Sequence, residues 1–236
     1  MSIDRLHRIL QQTAILDEDV LNQIPIIECN EPLIDIRTYM PNVIIRMSKA
    51  RRDYAESDVL YARKTICEMM VEAIRGISFN YQLIMFDAYR PLEYQRLRFE
   101  QVFKSFKEKN PSQNDEYIRR LAFEVVFPPN EDPQQSPPHA TGGAVDVALG
   151  TLDGELLDFG STYGIYNKDE NKRHPTNSTL MNAQQRNNRN ILIKAMVNAG
   201  FCNYPGEWWH FMYGDREYAA YEGLSHAIYG RADLIG

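Results

Sequence analysis

The chain has 236 residues, 44% hydrophobic and 25% charged, enough for one large domain or two small ones with a packed core. Its net charge of −6 leaves no basic footprint for nucleic acid, and no apolar run approaches the roughly 20 residues of a membrane span, so neither is an expected partner. Cys29, Cys67 and Cys202 are odd in number and scattered, which argues against a disulfide framework and offers no C-x-x-C metal pair; with an N-terminus lacking a signal peptide's apolar core, they point to a cytoplasmic protein with reduced thiols.

Taken in chain order, residues 1–30 read as a peripheral extension of a single domain spanning 1–236, with His7 on an N-terminal helix. The rest of 1–56 reads as irregular apart from strands at 33–37 and 42–47, and the basic cluster Lys49, Arg51 and Arg52 reads as a solvated face. Ser57 is suited to cap a helix running to 75, stopped by Gly76, with Leu60, Cys67, Met70, Val71 and Ile74 as its buried stripe. Residues 81–86 form a buried strand that ends at Asp87-Ala88-Tyr89-Arg90-Pro91, and 92–109 and 115–126 are charged helices. Five prolines between 127 and 138 make a loop that delivers His139. Residues 144–149 alternate as a strand with Val145, Val147 and Leu149 facing the core and Asp146 on the other face. Asp153-Gly154 is a hairpin turn that pairs 155–159 back. A polar stretch at 160–181 holds His174, read with His226 as a surface histidine. A helix at 182–199 turns Ile191, Leu192, Ala195 and Met196 inward and stops at Gly200; Pro205-Gly206 then leads into a short aromatic strand at 207–213.

Two stretches stand out chemically: His139-Ala140-Thr141-Gly142-Gly143-Ala144-Val145-Asp146 and Glu207-Trp208-Trp209-His210. Together they offer two imidazoles and a carboxylate for one metal ion, with a spare carboxylate beside it. Three N/O ligands and an open position are the composition of a catalytic zinc site, although the ligand types alone also suit iron or manganese. The glycines at 142 and 143 allow a tight reversal that brings His139 back beside Asp146, and a carboxylate among apolar neighbours needs a cation to offset its burial. Glu207 and His210 share a side if their i, i+3 spacing is helical and oppose each other on an ideal strand; the preceding Pro-Gly favours a turn. Arg90 has two roles open to it, a salt bridge to Asp87 or a fixed positive charge facing a developing oxyanion.

The order Asp-x-Tyr-Arg-Pro, His-x6-Asp, Glu-x-x-His resembles the zinc D-alanyl-D-alanine dipeptidases, the VanX-type members of peptidase family M15, which share a fold with D-Ala-D-Ala carboxypeptidases and the Hedgehog signalling domain. The similarity runs from Pro32-Leu33-Ile34-Asp35-Ile36-Arg37 to Phe211 and is densest at 139–160 and 183–211. The resemblance implies one Zn2+ held by His139, Asp146 and His210, Glu207 as general base and acid, and Arg90 as stabiliser of the tetrahedral oxyanion. It implies an α+β fold in which a central antiparallel sheet carries the zinc ligands and helices pack around it. The implied activity is hydrolysis of D-Ala-D-Ala or a closely related small cell-wall-derived dipeptide. A zinc carboxypeptidase or amidase on larger peptidoglycan peptides is the alternative, and a non-catalytic zinc-binding domain the third reading. The chain departs from the family where the substrate's ammonium is held: a serine expected two residues before the first ligand is Pro137, and an aspartate expected after the hairpin is Gly164. Ser136, Asp158 and Tyr89 are the candidate substrate-binding residues, with Asp153 and Asp169 as further possible replacements.

Overall fold

In a computed structural model, residues 3–55, 57–123, 125–167 and 169–234 are described. The N-terminal region carries the helix and the two strands expected of it, with two further short α-helices. It contains α1 (Ile3–Gln11), α2 (Glu18–Asn22), β1 (Leu33–Asp35), β2 (Ile44–Ile45) and α3 (Lys49–Ala55). Ile9 of α1 joins the main core, and the Arg5 guanidinium takes the carbonyls of Val197, Gly200 and Phe201. The basic cluster on α3 is only partly solvated. Lys49 pairs with Asp53 at the surface, but Arg51 is buried and reaches Asp87 and the Tyr89 carbonyl.

The helix expected from Ser57 begins later. Residues after Leu60 first form β3 (Tyr61–Arg63), which pairs antiparallel with β1 in the register Leu33↔Arg63, Ile34↔Ala62, Asp35↔Tyr61. This pairing overrides a helical pattern that local sequence alone favoured. Then α4 (Lys64–Arg75) buries Ile66, Cys67, Met70 and Ala73, while Ile74 is exposed.

The central sheet has the order β2-β4-β5-β7-β6, where β4 is Tyr81–Asp87, β5 is Ala144–Thr151, β6 is Cys202–Asn203 and β7 is His210–Met212. Its β4–β5, β5–β7 and β7–β6 pairs are antiparallel, as expected, but β2 runs parallel to β4, so the sheet is mixed. A parallel neighbour needs a crossover connection, and the chain between β2 and β4 supplies it with α3 and α4. Strand β5 is the spine: all but its last residue are buried, so both faces are covered rather than one. The segment 155–159 does not form a second hairpin strand. It touches β5 through a single bridge, Gly150↔Leu156, and then leaves as Asp158 turns to the Gly160 amide and the Gln185 side chain.

Helices α5 (Leu92–Lys109) and α6 (Asp115–Phe123) pack on each other and bury Phe99 and Ala122 in a small cluster apart from the main core. Helix α7 (Ala183–Asn198) packs against α4, its N-terminus closed by a reciprocal Asn182–Gln185 capping box. Its Leu192, Ile193, Met196 and Val197 join the core, whereas Ile191 is half-buried. The last element is α8 (Arg216–Glu222), capped by Asp215. No helix among the described residues is long and apolar enough to cross a membrane.

Candidate metal centre

Three adjacent strands set out a row of polar groups across the sheet. A register shift in β4 places Asp87 opposite Asp146 on β5, and Asp146 opposite His210 on β7. His139 arrives from outside the sheet, on a one-turn 3-10 helix at Pro138–Thr141. Gly142 ends that turn with φ +74, a left-handed conformation that a side chain would strain. Gly143 has no room for a Cβ, because the Tyr213 carbonyl oxygen lies 2.5 Å from where it would sit. The reversal brings His139 Nε2 to 3.2 Å and His210 Nδ1 to 3.0 Å from the same Asp146 oxygen, Oδ1.

The rest of the cluster is arranged around that oxygen. His139 Nδ1 lies 2.7 Å from the Ala88 carbonyl, which fixes the proton there and leaves the Nε2 lone pair facing the site. Asp146 Oδ2 takes the Tyr163 hydroxyl at 3.0 Å and Arg90 Nη2 at 3.3 Å. Burial alone would push the Asp146 carboxyl up, but the two imidazoles outweigh it and hold the group below the usual carboxylate range. The ligating atoms of His139, Asp146 and His210 all lie within 4.8 Å of one another, and all three residues are buried. Two nitrogens and one oxygen crowded in this way fit a divalent cation that accepts three protein ligands and keeps a position open.

Glu207 does not lie on the strand expected at 207–213, which is confined to β7. A turn precedes it: the Glu207 amide donates to the Tyr204 carbonyl and the His210 amide to the Glu207 carbonyl. Glu207 and His210 therefore line one cavity despite their spacing. Burial, and then the Asp146 charge, push the Glu207 carboxyl up to about 7, while His210, the Tyr166 hydroxyl and Arg90 pull the other way. Tyr166 donates to Glu207 Oε1 at 3.0 Å. Burial first, and the neighbouring carboxylates second, raise both Tyr163 and Tyr166 well above the ordinary phenol range, so both hydroxyls remain donors. Arg90 fills the structural role open to it, with Nε 2.7 Å from Asp87 Oδ2, and also borders the cavity. Burial opposes its charge, but Asp87 and Asp146 more than offset that.

The cavity has a volume of about 350 Å3, and besides the cluster its wall includes Phe86, Phe127, Pro137 and Gly164. A family model described as D-ala-D-ala dipeptidase, peptidase M15, matches residues 35–225. The chain belongs to this family. Among its relatives, a D-alanyl-D-alanine dipeptidase of Synechocystis is 27% identical over 89% of this chain and 95% of its own length. The D-alanyl-D-alanine dipeptidase of Escherichia coli is 25% identical over 76% of this chain and 83% of its own. Among solved structures, a vancomycin-resistance D,D-pentapeptidase, VanY, in complex with Zn(II), covers 71% of this chain and 83% of its own with a TM-score of 0.44 and 15% identity. As a peptidase of the M15 family, the protein is a hydrolase.

The substrate-binding residues expected from the sequence of this M15 peptidase are not brought to the cavity. Tyr89 is buried and gives its hydroxyl to the Ala232 carbonyl; Ser136 gives its own to the Pro133 carbonyl; Asp158 is occupied by Gly160 and Gln185. None of the three lines the cavity, and neither do Asp153 or Asp169. His174 is not a surface residue: it is 4% exposed, its ring is edge-on to Tyr166 and Trp209, and burial lowers its pKa to about 4. His226 is half-buried beside Ser225. Sequence reasoning missed Tyr163, Tyr166, Arg51 and Glu217. The tyrosines sit in an unpatterned polar stretch among fourteen of their kind, so only the folded arrangement singles them out.

Proposed function

We propose that the protein is a zinc-dependent dipeptidase that hydrolyses D-Ala-D-Ala or a closely related small dipeptide derived from cell wall. The observation that carries this reading is the meeting of His139, Asp146 and His210 with Glu207 and Arg90 on one cavity wall. Zinc, when bound, supplies Lewis-acid chemistry: it polarises a carbonyl oxygen and acidifies water. Glu207, poised at about 7, takes a proton from the attacking water and returns it to the departing amine. The Tyr166 hydroxyl keeps that carboxylate aimed. Arg90, held by Asp87 and Asp146, presents a fixed positive charge to the oxyanion that develops on the scissile carbonyl. Phe86, Phe127 and Tyr163 give the reacting groups an apolar surround that sharpens each of these interactions.

The dipeptide substrate is supported by the Synechocystis and E. coli relatives, both D-alanyl-D-alanine dipeptidases. One observation favours a second reading, a carboxypeptidase or amidase on larger peptidoglycan peptides: Pro137 and Gly164 border the cavity without a side chain that could hold a free amine. The three free thiols suit a reducing compartment, and we place the enzyme in the cytoplasm. The test is release of D-alanine from D-Ala-D-Ala, from N-acetyl-D-Ala-D-Ala and from longer muropeptides, with Glu207→Ala beside the wild type. Cleavage of the free dipeptide that the variant loses supports the first reading. Turnover of blocked or long peptides alone supports the second.

A further inference from the structure

Four acidic side chains line the cavity, and three of them are engaged. Asp87 pairs with Arg51 and Arg90, Asp146 faces the two imidazoles, and Glu207 accepts from Tyr166. The fourth, Glu217 on α8, is 5% exposed and makes no hydrogen bond or ion pair among the described residues. The charges that reach it compound the deficit: Asp215 and Glu207 carry the same sign, and the one opposing group is Arg216. The Arg216 guanidinium is directed elsewhere, to the Leu21 carbonyl at 3.2 Å and Asn22 Oδ1 at 2.7 Å.

A buried carboxylate with no partner is costly, and native proteins satisfy such groups with a hydrogen bond, a countercharge or a metal. A metal is not the answer here, because the close-set ligand group consists of His139, Asp146 and His210 without Glu217. A cation carried by the occupant of the cavity would supply the missing countercharge and draw the carboxyl into its charged form. Burial, followed by Asp215 and Glu207, pushes the Glu217 carboxyl well above the ordinary range, which agrees with a group that lacks its countercharge in the free protein. Glu207, whose charge reaches Glu217, and His210 line the same cavity, so a cation held at Glu217 shares that cavity with the reacting bond.

We propose that Glu217 holds the ammonium group of the bound peptide and makes a charged amine, rather than an acylated one, the preferred substrate. The inference rests on the peptidase reading above and names how that site selects its substrate. It gives the cavity the amine recognition that Ser136 and Asp158, both committed elsewhere, do not provide. The ammonium has two sources, the free N-terminus of a dipeptide or a basic side chain of a longer peptide.

Three probes separate them: D-Ala-D-Ala, N-acetyl-D-Ala-D-Ala, and N-acetyl-L-Lys-D-Ala-D-Ala. Binding is measured by calorimetry and turnover by amino-acid release, for the zinc-loaded wild type, Glu217→Gln and Glu217→Asp, with circular dichroism to verify folding. The expected result is a loss of about 100-fold in affinity and kcat/KM for the ammonium-bearing peptide in Glu217→Gln, in KM more than kcat, equivalent to one lost charge-assisted contact. The fully acetylated dipeptide should be unaffected, and Glu217→Asp should recover part of the preference. A loss confined to the lysine peptide identifies the side-chain ammonium as the occupant. The proposal is overturned if Glu217→Gln keeps the wild-type ratio between charged and acetylated peptides, or if the wild type binds no ammonium-bearing peptide. D-Ala-D-Ala hydrolysis that is indifferent to Glu217 would leave the peptidase reading standing without this inference. Glu217-dependent binding of a charged peptide, with no D-Ala-D-Ala hydrolysis, would do the reverse.

Discussion

At the scale of single residues, the site depends on two carboxylates with opposite tasks. Asp146 is held charged by its imidazoles, Arg90 and Tyr163, as a metal ligand must be, whereas Glu207 is lifted to about 7, as a proton carrier at neutral pH should be. Environments that push two acids apart in this way suit the roles proposed for them. The Tyr166 hydroxyl favours the charged form of Glu207. Tyr166→Phe should therefore move the acid limb of the kcat/KM profile to higher pH and lower kcat by about 10-fold. A bound cation shifts the limb in both proteins alike, so the difference between them reports the hydrogen bond. An unchanged profile would mean that the tyrosine only fills space.

At the scale of elements, the turn from His139 to Asp146 and the 160–181 segment finish the site, and each is tied down by particular contacts. The reversal from His139 to Asp146 depends on Gly143, where a Cβ would meet the Tyr213 carbonyl oxygen at 2.5 Å and Tyr229 at 2.9 Å. Gly143→Ala should cost about 1–3 kcal/mol in stability and weaken metal binding, because both flanking ligands move; denaturant melts and a zinc titration measure the two effects. Wild-type affinity in that variant would disconnect the turn from the site. The 160–181 segment is held by Arg189 of α7, which takes the carbonyls of Phe159, Arg173 and Pro175, and by the Trp208 indole donating to Ser161. Within it, burial sets His174 at about 4 instead of 6.5. The unfolded chain takes up a proton as pH falls below 6.5 that the folded chain refuses until about 4. Its contribution is thus complete above 6.5 and is lost downward, by of order 3 kcal/mol at the low end. His174→Phe should flatten the stability-versus-pH curve between those values, and an equally steep fall would place the acid sensitivity elsewhere.

At the scale of the whole molecule, the sheet order puts β4, β5 and β7 side by side, and the centre links the last two to the turn before β5. A cation there cross-links parts of the chain about seventy residues apart. At a free concentration a thousandfold above Kd it stabilises by about 4 kcal/mol, so chelation should lower Tm by roughly 10 °C for a domain of this size. The ligands were legible in the sequence because they sit in two compact motifs, next to glycines and a period-2 strand. Helix α5 was legible as a long charged segment after Pro91, and α7 from its inward apolar residues and the Gly200 that follows it. Residues 61–63 were not, because a three-residue strand takes its conformation from its partner β1 rather than from its own pattern. Tyr163, Tyr166 and His174 were hidden because a polar stretch carries no periodicity to say which side chains turn inward. Glu217 was hidden because a glutamate on a short helix ordinarily faces water.

The most direct test of the metal-centred account is a zinc titration of metal-free protein with D-alanine release from D-Ala-D-Ala followed at each step, in wild type and Glu207→Gln. In the wild type, activity should rise linearly to a plateau at one zinc per chain. Glu207→Gln should bind zinc with the same stoichiometry and turn over about 10²–10⁴-fold more slowly. Activity that persists without zinc, or a Glu207→Gln enzyme as fast as the wild type, would contradict the account.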